Sequence, residues 1–244
     1  MSIRLLTFDL DDTLWELGPV LQRAENVTWQ WLAQHVPELI SRESVESLRA
    51  RRQQRMQEDP AAAHHITRLR LTTVTEALID AGLDGQRAER IAIEALEVFL
   101  EARHQIELFD QAEAVLEALA GEYRLAAITN GNARLERLGL DHYFDFCIWG
   151  EEQRRAKPHA DPFEAALARA GCRAAEAIHI GDHWEHDIDA AQRVGMHTVW
   201  VNRSGASWPG RKPPTAAITS VAELPQAVAT IVTANGVSRW RSSD

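Results

Sequence analysis

Cysteine and lysine are scarce in this 244-residue chain. Cys147 and Cys172 are too few for a disulfide framework, and neither belongs to a metal-binding pair. Two reduced, buried thiols are the expectation. No stretch approaches the roughly 20 apolar residues that a membrane helix needs. The apolar start is too short for a signal peptide and is interrupted by Asp9. A cytoplasmic protein without a membrane partner is expected. Net positive charge is lacking too, the formal charge being −10. That balance argues against nucleic acid as a partner, but leaves room for an anionic small ligand at a local site. Of 26 basic residues only Lys157 and Lys212 are lysines. A chain that otherwise relies on arginine raises the question of what each lysine does.

Apolar residues make up 45% of the chain, ample for a real core. From Ile106 onward, short apolar runs alternate with amphipathic stretches. The runs are 125–130, 146–149, 177–182, 197–202 and 216–219, and their lengths and flanks suit buried strands. Between them Ala112, Val115, Leu116 and Leu119 repeat at helical spacing, as do Phe163, Ala166, Leu167 and Ala170, then Val221, Leu224, Val228 and Ile231. This alternation predicts an α/β fold, a Rossmann-like parallel sheet with helices on both faces. Residues 16–105 show no strand pattern. They predict helices over 19–36, 43–58, 63–82 and 86–104, punctuated by Pro37, Pro60 and the Gly82–Gly85 segment. The predicted organisation is a core of 1–15 with 106–235, an all-helical insertion of 16–105, and a polar tail at 236–244.

The chemistry gathers at the strand ends. Residues 3–8 read as a strand running straight into Asp9, Asp11 and Asp12. The next strand ends in Thr129-Asn130-Gly131. A later one ends in Gly181-Asp182, with Asp187 close behind. Ligands of open α/β sheets collect at the carboxyl ends of strands, where strand order reverses. If the first strand is central, these groups converge. Two carboxylates about 4 Å apart then repel by roughly 4 kcal/mol at an effective dielectric of about 20. Protonation or a cation must relieve that repulsion. Hard oxygen ligands without thiolate favour Mg²⁺. Thr129, Asn130 and Lys157 offer a hydroxyl, an amide beside backbone N–H groups, and an ammonium, which suit phosphate. Metal, phosphate pocket and an aspartate nucleophile together point to phosphoryl transfer through an aspartyl-phosphate. Asp11 is placed to protonate the leaving alkoxide and to deprotonate the attacking water.

These stretches resemble the haloacid dehalogenase superfamily. FDLDDTLW resembles its first motif, DxDxT. Thr129 in AAITNGN matches the second and Lys157 in RAKPHADPF the third. GDHWEHD, from Gly181 to Asp187, matches the fourth. The resemblance implies Asp9 as nucleophile and Asp11 as acid/base. It implies Mg²⁺ on Asp9, Asp182, Asp187 and the backbone carbonyl of Asp11, with Thr129 and Lys157 holding the phosphoryl group. The helical insertion is similar to the cap found between the first two motifs in many members. Dehalogenases lack the second aspartate of the first motif, and phosphonate-cleaving members need a cap lysine that 16–105 does not contain. An Mg²⁺-dependent phosphatase acting on a small phosphorylated metabolite is expected, with a phosphomutase or a receiver-like signalling domain as alternatives. Residues 64–83 and 128–146 resemble bacterial phosphatases of FMN and of 5-amino-6-(5-phospho-D-ribitylamino)uracil. Oligomeric state is left open.

Other patterns carry blander expectations. Asp12-Thr13 reads as turn chemistry. His183 and His186 read as the exposed face of a new helix, and Trp29 and Trp31 as packing in the core of the helical segment or where it meets the sheet core. Arg49, Arg51, Arg52 and Arg55 read as surface charge. So does the face bearing His64, His65, Arg68 and Arg70.

Overall fold

The computed structural model describes residues 2–234. The polar tail predicted at 236–244 lies outside the described residues. The chain divides into two compact units, one running to Glu16 and resuming at Glu107, the other Leu17–Ile106.

The first unit is built on a parallel sheet of β1 (Leu5–Phe8), β2 (Arg124–Thr129), β3 (Phe146–Trp149), β4 (Ala177–Gly181), β5 (His197–Val201) and β6 (Ala216–Ile218). The strand order is β3-β2-β1-β4-β5-β6. β1 is therefore flanked by β2, with Phe8 opposite Ala127, and by β4, with Phe8 opposite Ile180. Burial on both sides explains why these strands read as continuous apolar runs. Between them lie α6 (Ala112–Ala120), the short α7 (Leu135–Leu138), α8 (Asp161–Ala170), α9 (Ala190–Val194) and α10 (Leu224–Ala234), numbered after five helices of the second unit. Phe163, Ala166 and Leu167 of α8 pack with Ala190 and Ala191 of α9 against Leu5, Ile128 and Ile148. α6 and α10 pack on each other, against β2 and against β5 and β6, on the opposite face. The order reverses at β1, so the carboxyl ends of β1, β2 and β4 share one crevice.

The second unit is all helical: α1 (Leu17–His35), α2 (Pro37–Ile40), α3 (Val45–Glu58), α4 (Ile66–Asp80) and α5 (Gly85–Arg103). The four long helices end within three residues of the sequence signals, as frayed boundaries do, and the short α2 is not among the predicted helices. Ser44 and Ser47 form a capping box at α3, and Asp84 caps α5 through the Arg87 N–H at 3.0 Å. Gly82, at φ +104, turns the chain after α4, a conformation that a side chain would strain. Leu32, Leu48, Val74, Leu78, Ile91 and Ala95 form the core, with Trp29 and Trp31 packed against it as expected.

Two arginines correct the sequence reading. Arg52 and Arg70 are buried, not surface charge. Both reach Glu25, itself buried on α1, which also accepts from Arg49 at 2.6 Å. Arg70 lies with its guanidinium 3.6 Å from the Phe99 ring centroid. Burial pushes the Arg70 pKa down to about 9, with Arg52 adding and Glu25 opposing. These partners lie 27 and 45 residues apart in the chain, a separation at which helical periodicity carries no signal.

Candidate active site

Each strand end contributes a distinct polar group because the apolar run stops where the crevice begins. β1 stops at Phe8, and the Asp9 N–H donates to the Ile180 carbonyl at 2.8 Å, continuing the ladder by one residue. The chain then turns through Asp12, at φ 59, into a short loop. β2 delivers Thr129, β4 delivers Gly181 and Asp182, and a π-type turn over Trp184–Asp189 carries Asp187 back beneath β4. His183 caps that turn, its Nδ1 accepting from the N–H groups of Glu185 and His186. Its ring stacks on His186, the centroids 4.1 Å apart.

Asp9, Asp182 and Asp187 each bring an oxygen to one point, these atoms lying within 4.8 Å of one another. Lys157 enters from the loop after β3. Its ammonium, almost fully buried, donates to Asp9 Oδ1 and Asp187 Oδ1, both at 2.6 Å, and to the Ile128 carbonyl at 2.9 Å. The loop bearing Lys157 is fastened by Asn130. Its amide donates to the Lys157 carbonyl at 2.8 Å and its Oδ1 accepts from the Lys157 N–H at 3.0 Å. Thr129 is buried, and its Oγ1 accepts from the Gly131 N–H at 2.9 Å. Thus Asp9, Lys157, Asp182 and Asp187 meet in one cluster. Asn130 is tied to Lys157 through the backbone, which gives it a supporting place. The Asp11 carboxylate stands apart from the trio and accepts from the Trp15 indole at 2.9 Å.

The electrostatics follow from burial and mutual repulsion. Burial holds the Asp9 carboxyl well above its ordinary range, with Asp187 and Asp182 adding and Lys157 opposing. Asp182 is pushed up to about 7 by burial, then by Asp187 and Asp12. Burial also works against ionised Asp187, but Lys157 and His179 overcome it and hold that carboxyl well below the usual range. Lys157, desolvated yet facing Asp187 and Asp9, is raised above an ordinary lysine. One ammonium thus faces three acids, two of which resist ionisation. The all-oxygen donor set, crowded and short of positive charge, fits a hard divalent cation such as Mg²⁺.

Several supporting residues escape the sequence reading. Thr13, read as turn chemistry, is fully buried and donates to Asp9 Oδ2 at 3.4 Å and Asp182 Oδ1 at 3.3 Å. His179 lies at the centre of β4, 3.3 Å from Asp187 Oδ1 and 2.8 Å from the Thr7 hydroxyl. A polar residue inside each of two apolar runs, LLTF and AIHIG, was the available signal. Trp200 donates to the Asp182 carbonyl at 2.7 Å.

Comparison with known proteins meets this geometry from another direction. Residues 3–195 match the model of the haloacid dehalogenase-like hydrolases. The chain belongs to that family. Among curated relatives, the 5-amino-6-(5-phospho-D-ribitylamino)uracil phosphatase YigB of Escherichia coli K12 is 34% identical over 226 residues, 91% of this chain and 94% of its own. The pyrimidine 5'-nucleotidase YjjG of the same organism is 32% identical over 163 residues, 63% of this chain and 72% of its own. A solved structure named as a 2-haloacid dehalogenase from Pseudomonas syringae pv. Tomato DC3000 is 42% identical, covers 94% of this chain and 99% of its own, and superposes with a TM-score of 0.88. Family membership makes this chain a hydrolase, and several of its curated relatives are named as phosphatases.

Proposed function

We propose that this family member is an Mg²⁺-dependent phosphatase that works through an aspartyl-phosphate on Asp9. The observation that carries the reading is the meeting of Asp9, Asp182 and Asp187 beside the Lys157 ammonium. Mg²⁺ held by these three carboxylates and the Asp11 backbone carbonyl would supply the charge that phosphoryl oxygens need as they shift. A carboxylate oxygen of Asp9 attacks phosphorus and the P–O ester bond breaks. The departing alkoxide takes the proton of Asp11. Water then attacks the acyl phosphate and gives a proton to Asp11, and the bond to Asp9 breaks, releasing phosphate. Lys157, Thr129 and the backbone N–H groups near Asn130 orient the phosphoryl oxygens and stabilise their charge. Asp11 favours hydrolysis of phosphate esters over dehalogenation, because only the former needs a proton donor for its leaving group.

The helical unit Leu17–Ile106 serves in this reading as the cap that selects the substrate. The relative of 34% identity over nearly the whole chain supports 5-amino-6-(5-phospho-D-ribitylamino)uracil as substrate, with FMN, another phosphorylated ribityl compound, alongside it. The two unpaired thiols suit a reducing cytoplasm. The test is a panel of phosphorylated metabolites including both compounds and pyrimidine 5'-nucleotides, assayed for phosphate release with Mg²⁺ and with EDTA. Turnover should need the metal, favour the ribityl compounds and disappear in Asp9→Asn. Sustained hydrolysis by that variant, or equal rates in EDTA, overturns the mechanism. A clear preference for nucleotides overturns the substrate alone.

A further inference from the structure

We infer that Trp15 is a positioning residue for Asp11, and that its indole N–H keeps the acid/base in place for substrates whose leaving group must be protonated. The inference rests on the assignment of Asp11 given above. Trp15 is the largest of the fully buried side chains. An indole in that position needs an acceptor for its N–H, and it donates to Asp11 Oδ1 at 2.9 Å.

The backbone around it is pinned from two directions. Residues 11 and 15 pair in a parallel bridge, and Trp15 pairs antiparallel with Leu108. The Phe109 N–H donates to the Leu14 carbonyl at 2.9 Å. The Leu14 N–H in turn donates to the Leu10 carbonyl at 2.9 Å, which closes the loop that carries Asp11. The indole is therefore a fixed post beside a carboxylate that is itself only half-buried and set on a turn. A hydrogen bond to one carboxylate oxygen restricts both side-chain torsions of an aspartate, and the proton then travels on the other, Oδ2.

Leaving-group chemistry separates this role from packing. A p-nitrophenolate departs without a proton, whereas a primary alkoxide does not. The ratio kcat/KM reports only steps up to departure of the alcohol, so it isolates the acid from the later action of the base. In Trp15→Phe, kcat/KM for the best primary alkyl phosphate of the metabolite panel should fall at least ~10-fold, part of the ~10²–10⁴ that a positioned acid supplies. For p-nitrophenyl phosphate it should stay within about 2-fold. If the phenylalanine variant does not fold, 3-benzothienylalanine at position 15 keeps the shape of the indole and removes only the N–H. Asp11→Asn is the reference and should show the same selectivity more strongly. Equal loss on both esters, or on neither, in a Trp15 variant while Asp11→Asn is selective overturns the inference and leaves the assignment of Asp11 standing. Absence of selectivity in Asp11→Asn overturns the assignment and the inference together.

Discussion

Asp182 and Lys157 share one crevice, and each yields a prediction at the scale of a residue. A carboxyl whose folded pKa lies above its unfolded value binds its proton more tightly in the native state. Its contribution to stability is complete below the unfolded value and disappears as pH rises through the folded one. Asp182, pushed up to about 7, and Asp9, shifted the same way, should make the metal-free protein lose stability as pH rises from the unfolded value near 4. Asp187, held low, contributes the other way, but its change falls below that window. The rise in melting temperature on adding Mg²⁺ should therefore be larger at about pH 8 than at about pH 5.5, because the cation replaces protons on these acids. Equal shifts at both values would count against the shared cation. Lys157→Met leaves Asp9 and Asp187 facing each other without their ammonium, and should cost about 3–5 kcal/mol in urea unfolding without Mg²⁺. Asp9, Asp182, Asp187 and Lys157 were legible because their motif spacings mark them. Thr13 was marked by the first motif but not given a role, and His179 was not marked at all, since a histidine in a strand looks the same whether or not an acid lies above it.

Strand and turn geometry sets the next scale. Gly181 closes β4, and a Cβ there would lie 2.5–2.6 Å from the carboxylate end of Asp187. Gly181→Ala should displace that carboxylate, raise the Mg²⁺ half-saturation for thermal stabilisation by ~10-fold or more, and cost about 1–3 kcal/mol. Gly85 is the contrasting case. It opens α5 with ordinary backbone and open space around it, so Gly85→Ala should stabilise the helical unit by about 0.5 kcal/mol in the same unfolding assay. Strands and long helices were readable from apolar period alone. The π-type turn at Trp184–Asp189 was not, because its extra residue is imposed by the need to bring Asp187 under β4, a tertiary demand. The loop from Leu10 to Trp15 hides a similar demand: nothing local in DDTLW announces that its tryptophan will serve its own aspartate.

For the whole molecule, the division at Glu16 and Glu107 means that each unit holds its own core. The helical unit rests on an unusual arrangement, one buried glutamate serving several arginines. Replacing Glu25 by glutamine would leave Arg52 and Arg70 buried without their carboxylate, at a cost of about 3–5 kcal/mol. Hydrogen exchange should show α1, α3, α4 and α5 losing protection while β1, β2 and β4 keep theirs. Equal loss in both units would show that they unfold as one. Fold class was plain from the alternation of strands and helices, but this ionic knot was not, since arginines at helical spacing look alike on a surface and in a core. The pairing of Trp15 with Leu108 has one last consequence. Departure and return of the chain lie side by side on the sheet unit, so the intervening ninety or so residues hang from a ribbon that a tight hairpin could close. Such an attachment makes the insert exchangeable: a lineage can graft a different module at that ribbon while the sheet and its acids go unaltered.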